Sequence, residues 1–176
     1  MSGHSKWAQI KRQKGVTDKK RGQLFSKLLK AISIAARNEP NPQFNPRLRS
    51  VIEKAEENNV PRENIDRAVN KAAEEKNLEE LIIEAYGTEG IPLIIEAITD
   101  NRNRTIAEIK HILSENEAKL ANPGSVLWSF TPPAGENGWT PKFPQTISEA
   151  AEQKIKKIIN DLEEHDDVQN VITNGN

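Results

Sequence analysis

The chain has 176 residues, 35% of them hydrophobic, 29% charged and only 5% aromatic, enough for one large or two small domains with aliphatic cores. It has no cysteine, which excludes disulfides, thiolate metal sites and cysteine nucleophiles, and no apolar run near the ~20 residues that span a bilayer. The net charge of −1 hides a split, because residues 1–50 carry twelve Lys and Arg against two acids while the remainder carries a net −11, so a basic head sits on an acidic body and favours polyanions.

Residues 1–18 (MSGHSKWAQIKRQKGVTD) show neither helical nor alternating apolar spacing and predict a basic, extended arm. They lack the apolar stretch of a secretory signal, so a cytoplasmic protein with no membrane partner is expected. From about Lys19 to Arg37 the spacing is helical. Leu24, Phe25, Leu28, Leu29, Ile32, Ala35 and Ala36 share one face, and Lys20, Lys27, Lys30 and Arg37 lie opposite. Three prolines in NEPNPQFNP (38–46) stop that helix. A second helix is predicted from Pro46 with Asn45 as its cap, ending at Asn58-Asn59, and a third from Pro61 to about Lys76-Asn77. Residues 19–77 thus predict a three-helix bundle.

Residues 78–176 change character. LIIEAYG (81–87) and IPLIIEAIT (91–99) predict strands joined at Gly87–Gly90, followed by the loop DNRNR (100–104). Thr105-Ile-Ala-Glu108 has capping-box spacing for a helix with Ile106, Ile109, Ile112 and Leu113 inward. SVLWSFT (125–131) and PKFPQTI (141–147) predict two more strands. A helix over 149–164 and a last strand, DVQNVIT (167–173), follow. From the second strand on, the order is β-α-β-β-α-β, so the expected fold is α+β, a helical bundle followed by a ferredoxin-like antiparallel domain, with the strand at 81–87 as an addition.

The chemistry lies in the cations. Phosphate rewards many Lys and Arg side chains, because their binding releases condensed counterions. Trp7 among Lys6, Lys11 and Arg12 offers a surface on which an unpaired base can stack. The candidate nucleic-acid ligands are His4, Lys6, Trp7, Lys11, Arg12 and Lys14 in the arm, and Lys19, Lys20, Arg21, Lys27 and Lys30 on the first helix. Arg102 and Arg104, beside a helix N-terminus, add a candidate phosphate clamp. The competing account pairs them with Asp100 or Glu108, and composition does not decide between the two. His111 and His165 predict surface positions, and no histidine has metal-ligand spacing. Asp166-Asp167 predict a helix-to-strand turn. No phosphate-binding glycine loop, G-x-S-x-G or H-E-x-x-H is present, so no enzyme, cofactor or small-molecule substrate is expected.

Several of these segments resemble the YebC/PmpR family: GHSKWAQIKRQKGVTDKKRGQLFSKL, NPRLRSVIEKAEENNVPRENIDRAV, EAYGTEGIPLIIEAITDNRNRTIAEIKHI, GSVLWSF and the closing LEEHDDVQNVITN. The resemblance implies cytosolic proteins with mitochondrial relatives, a helical first domain and α+β second and third domains. It implies regulators of transcription that bind DNA, or factors acting on translation and on ribosomes stalled at proline-rich stretches, without enzymatic activity. Typical members are longer, with a third domain inserted after the "SVxxxF" strand, where this chain has only a short loop at 131–141. The resemblance leaves two targets open, DNA and RNA or the ribosome. Docking of a protein by the sheet is a third reading, and a pure protein adaptor would not need the charge split.

Overall fold

A computed structural model of the protein describes residues 18–134 and 138–175. The basic arm, with His4, Lys6, Trp7, Lys11, Arg12 and Lys14, lies outside the described residues. Helix α1 (Asp18–Ala36) buries Leu28, Ile32, Ala35 and Ala36, the apolar face that the spacing predicts. Helices α2 (Pro46–Glu57) and α3 (Arg62–Lys71) pack against it and add Leu48, Ile52, Ala55 and Ile65 to one aliphatic core. Asn45 caps α2, its Oδ1 accepting from Leu48 N at 3.0 Å. Its amide also donates to Ala35 O and Glu39 O, both at 2.8 Å, so one side chain joins the end of α1 to the start of α2.

Strands β1 (Glu79–Tyr86) and β2 (Pro92–Thr99) form an antiparallel hairpin with Glu79 opposite Thr99 and Tyr86 opposite Pro92. At the turn, a Cβ on Gly87 would stand 2.8 Å from Ile155 Cδ1, so a larger residue there would push the end of the Ile155 side chain aside. Helix α4 (Arg102–Glu115), the short strand β3 (Lys119–Leu120), helix α5 (Glu149–Glu163) and strand β6 (Val168–Thr173) complete a sheet of order β3-β1-β2-β6. Leu81, Ile83, Leu93 and Ile95 meet α4 and α5 on one face. Ile94 and Ile172 meet Val126, Phe130 and Trp139 on the other. Burial on both faces explains why 91–98 is apolar almost throughout.

The α+β architecture, with helices first and then an antiparallel sheet carrying two helices on one face, is the expected one. The strands that fill it differ. The strand read as an addition is central, paired with β2 over its length and with β3 at Ala85 and Tyr86. The segment read as a strand at 125–131 turns as a 3-10 helix over Leu127–Ser129, and only Phe130–Thr131 (β4) pairs, with Thr140–Pro141 (β5), in a separate two-stranded sheet. The cause is Glu84, a buried carboxylate on β1. Its oxygens accept from Gly124 N (2.5 Å), Val126 N (2.6 Å) and Leu127 N (2.9 Å) and curl the chain around them. The strand read at 141–147 ends at once, because Pro141 and Pro144 withhold donors. Beyond β5 only Gln145 bridges to Gly175.

Glu84→Ala is expected to destabilise the protein by about 1–3 kcal/mol in urea unfolding, the cost of leaving the buried Val126 N–H without its acceptor, while Gly124 and Leu127 lie nearer to water. Wild-type stability would show that the Val126 N–H finds water instead.

Candidate nucleic-acid interface

The cations of α1 divide by position along the helix. Lys19, Lys20 and Arg21 stand in its first two turns, exposed, and form no ion pair with another described residue. Two turns later the basic face turns inward. Lys27 Nζ donates to Glu163 O at 2.5 Å, and Lys30 Nζ meets Asp167 Oδ1 at 2.8 Å. Gln23 donates to Glu164 O and to Asp166 Oδ1 (2.9 Å), and Gln169 donates to Lys27 O at 3.3 Å. These carbonyls close the C-terminal end of α5, which carries the negative end of the helix dipole. Lys27 and Lys30 therefore hold α1 against the sheet, while Lys19, Lys20 and Arg21 at its head pair with no other described residue.

Asp167 is the centre of this contact. Its side chain is 4% exposed, and it takes Lys30, Arg104 (2.8 Å) and the Thr105 hydroxyl (2.7 Å). Burial alone would push its carboxyl up. The bonds from Lys30, Thr105 and Arg104 outweigh burial and hold it well below the usual carboxylate range. The Arg104 guanidinium is raised in turn, chiefly by its bond to Asp167. A pair of acids that spacing reads as a plain turn thus contains a buried hub that ties α1, α4 and β6 together.

The DNRNR segment is a loop only at Asp100 and Asn101, and Arg102–Arg104 are already helix. Asn101 caps α4, accepting from Arg104 N at 3.1 Å, so the helix opens at Arg102 and not at the Thr105 capping box. Asn101 wins because Thr105 is fully buried, with its hydroxyl given to Asp167 and 2.8 Å from Thr99 Oγ1. Arg104 also pairs with Asp100 at 3.0 Å, and Arg102 lies 3.6 Å from Glu79. The two arginines face carboxylates, as in the competing account of this segment.

The histidines differ from each other. His111 is exposed, 3.4 Å from Glu115, as expected. His165 is not a surface residue, being 11% exposed, with Nε2 2.7 Å from Glu108 Oε2 and Nδ1 accepting from Asp167 N. Glu108, His165 and Asp167 have ligand atoms close enough to hold a metal ion. Lys30 and Arg104 already neutralise Asp167, and a divalent cation would meet two like charges there, so we assign no metal to the cluster.

Three comparisons bear on this arrangement. A family model described as the TACO1/YebC protein N-terminal domain matches residues 5–75. A second, described as the TACO1/YebC second and third domain, matches in two stretches, 78–135 and 132–175. Similar proteins from Chloroherpeton thalassium (55% identical) and Pelodictyon phaeoclathratiforme (54% identical) are each named a probable transcriptional regulatory protein, and each match covers 74% of this chain and 54% of the relative. The chain thus spans about half the length of the curated relatives it matches. Among solved structures, that of a conserved hypothetical protein from Aquifex aeolicus superposes with a TM-score of 0.81 at 33% identity, covering 90% of this chain and 91% of that one. Among the described residues no helix is long and apolar enough to cross a membrane.

Proposed function

The chain belongs to the TACO1/YebC family, and we propose that it is a cytoplasmic regulator of transcription, not an enzyme, that binds DNA through its basic N-terminal region. The observation that carries this reading is the charge split, +10 over residues 1–50 against −11 over the rest. The names of the curated relatives support it. In this reading the arm of residues 1–18, with His4, Lys6, Trp7, Lys11, Arg12 and Lys14, and the helix head with Lys19, Lys20 and Arg21 contact phosphate. Lys27, Lys30 and Arg104 position that head, since their charges are spent on Glu163 O, Asp167 and Asp100. Residues 19–77 and 78–176 act as its helical and α+β supports. The acidic body orients the polyanion toward the basic end of the chain.

A second reading has one observation in its favour. Over residues 46–76 seven bases meet seven acids, and Arg47, Arg62 and Arg67 are paired with Glu80, Glu56 and Glu63. Neither α2 nor α3 offers the cationic face of a groove-reading helix. Backbone contact by a basic head suits irregular RNA or the ribosome as well as it suits DNA.

Both readings are tested by titrating the full chain against labelled single strands and duplexes over a salt series. The logarithm of affinity is expected to fall linearly with the logarithm of salt, by about 0.9 per phosphate contact for duplex DNA and about 0.7 for single strands. A response independent of salt would overturn the electrostatic mechanism.

A further inference from the structure

We propose that Trp128 and Phe143 form a stacking platform for unpaired nucleobases, distinct from the basic head. The proposal rests on the nucleic-acid reading above and adds the class of ligand, a single strand. Among the described aromatic residues, these two stand side by side on the surface, 64% and 57% exposed, with ring centroids 5.9 Å apart and planes tilted by 46°. The small β4–β5 sheet presents them. It turns Phe130 and Trp139 into the core and leaves Trp128 and Phe143 outside.

The Trp128 ring and the backbone that carries Phe143 are held by their surroundings. The Trp128 indole N–H donates to Ser125 O at 2.8 Å, so its one polar group is satisfied. The carbonyl of Phe143 accepts from Asn174 Nδ2 at 3.0 Å, and Asn174 is buried. Lys142 N donates to Ser129 O at 2.9 Å and ties the two segments together. Plates ordered in advance lose little further freedom when a ligand stacks on them.

The ligand chemistry follows. With its N–H occupied, the indole presents only its π-face, which suits every base and discriminates among none. Lys142 Nζ lies 3.2 Å from Trp128 O, which puts one cation beside the rings for the phosphate next to a stacked base. In a duplex the base faces cover one another, so a single strand has what this surface takes.

The test is binding of the full chain to a short mixed-sequence single strand and to its duplex, with Trp128→Ala, Phe143→Ala and Trp128→Phe as variants. Trp128→Ala is expected to weaken the single-strand complex by roughly 5- to 150-fold, the effect of losing one stacked base, and to leave the duplex complex unchanged. Phe143→Ala acts in the same direction, and Trp128→Phe retains most of the affinity because a ring remains. Wild-type single-strand affinity in Trp128→Ala, or an equal loss for both probes, would overturn the platform. So would a change of oligomeric state in Trp128→Ala without loss of single-strand affinity, which would make the pair a protein seam. A wild-type chain that binds only duplex sinks the platform and spares the nucleic-acid reading, whereas one that binds neither probe sinks both.

Discussion

Replacing Lys19, Lys20 and Arg21 together with glutamine is expected to weaken nucleic-acid binding on the order of 10²-fold near 0.1 M salt and to leave unfolding in urea unchanged. Each phosphate contact contributes about 0.9 to the log–log salt slope on duplex DNA, so losing three flattens the slope by nearly three and removes most of the electrostatic affinity at moderate salt. The fold does not need these side chains, since all three are exposed and none is paired with a described residue. The same exchange at Lys27 and Lys30 is expected to do the reverse. Those amines hold Glu163 O and Asp167, so stability falls while the salt slope stays. A triple variant with wild-type affinity, or a Lys27/Lys30 variant that alone flattens the slope, would exchange the roles assigned to the two halves of the helix.

Asp167→Ala is expected to cost about 3 kcal/mol in unfolding free energy at neutral pH. Removing one member of a buried pair costs about 3–5 kcal/mol, and the low end applies because the partners can rehydrate. Lys30 and Arg104 keep side-chain exposures of 30% and 43%. The Thr105 hydroxyl, fully buried, keeps only Thr99 Oγ1 and Asn101 O nearby. Asp167→Asn keeps an acceptor for Thr105 and falls between wild type and alanine. The wild-type contribution depends on pH in one direction. Because the folded carboxyl titrates below its unfolded value, the stabilisation is complete above about pH 4 and fades as pH falls toward the folded value. Stability of Asp167→Ala within about 0.5 kcal/mol of wild type, a surface-like effect, would remove the hub from this account.

The elements with strong local signals were legible in the sequence. The apolar stripe of α1, the Asn45 cap, the Pro61 start of α3 and the strands near 79–86, 92–99 and 168–173 agree with the structure within about two residues, the usual ambiguity of element ends. What local pattern missed is held by partners distant in sequence. SVLWSF has strand-like composition, and nothing near it announces that the Glu84 carboxylate, 42 residues before Val126, will take the N–H groups of Val126 and Leu127. Asp167 looks like a surface turn residue until Lys30, 137 residues earlier, and Arg104, 63 earlier, reach it, and His165 does until Glu108, 57 earlier, reaches it. The candidate site was legible as a region of charge but not by side chain. Composition cannot separate Lys20, which pairs with no other described residue, from Lys30, which is bound to Asp167. Trp128 and Phe143 fell inside expected strands, where alternation would bury half of such residues. The 3-10 turn and Pro144 leave both rings outside.

The central claim is that the leading basic segment captures nucleic acid while the remainder supports it. The most direct measurement compares the full chain with one beginning at Asp18, both titrated against the same DNA and RNA at low salt, with folding followed by circular dichroism. The account predicts that the shortened chain folds as before and loses nearly all affinity. Equal affinity for the two chains would contradict it.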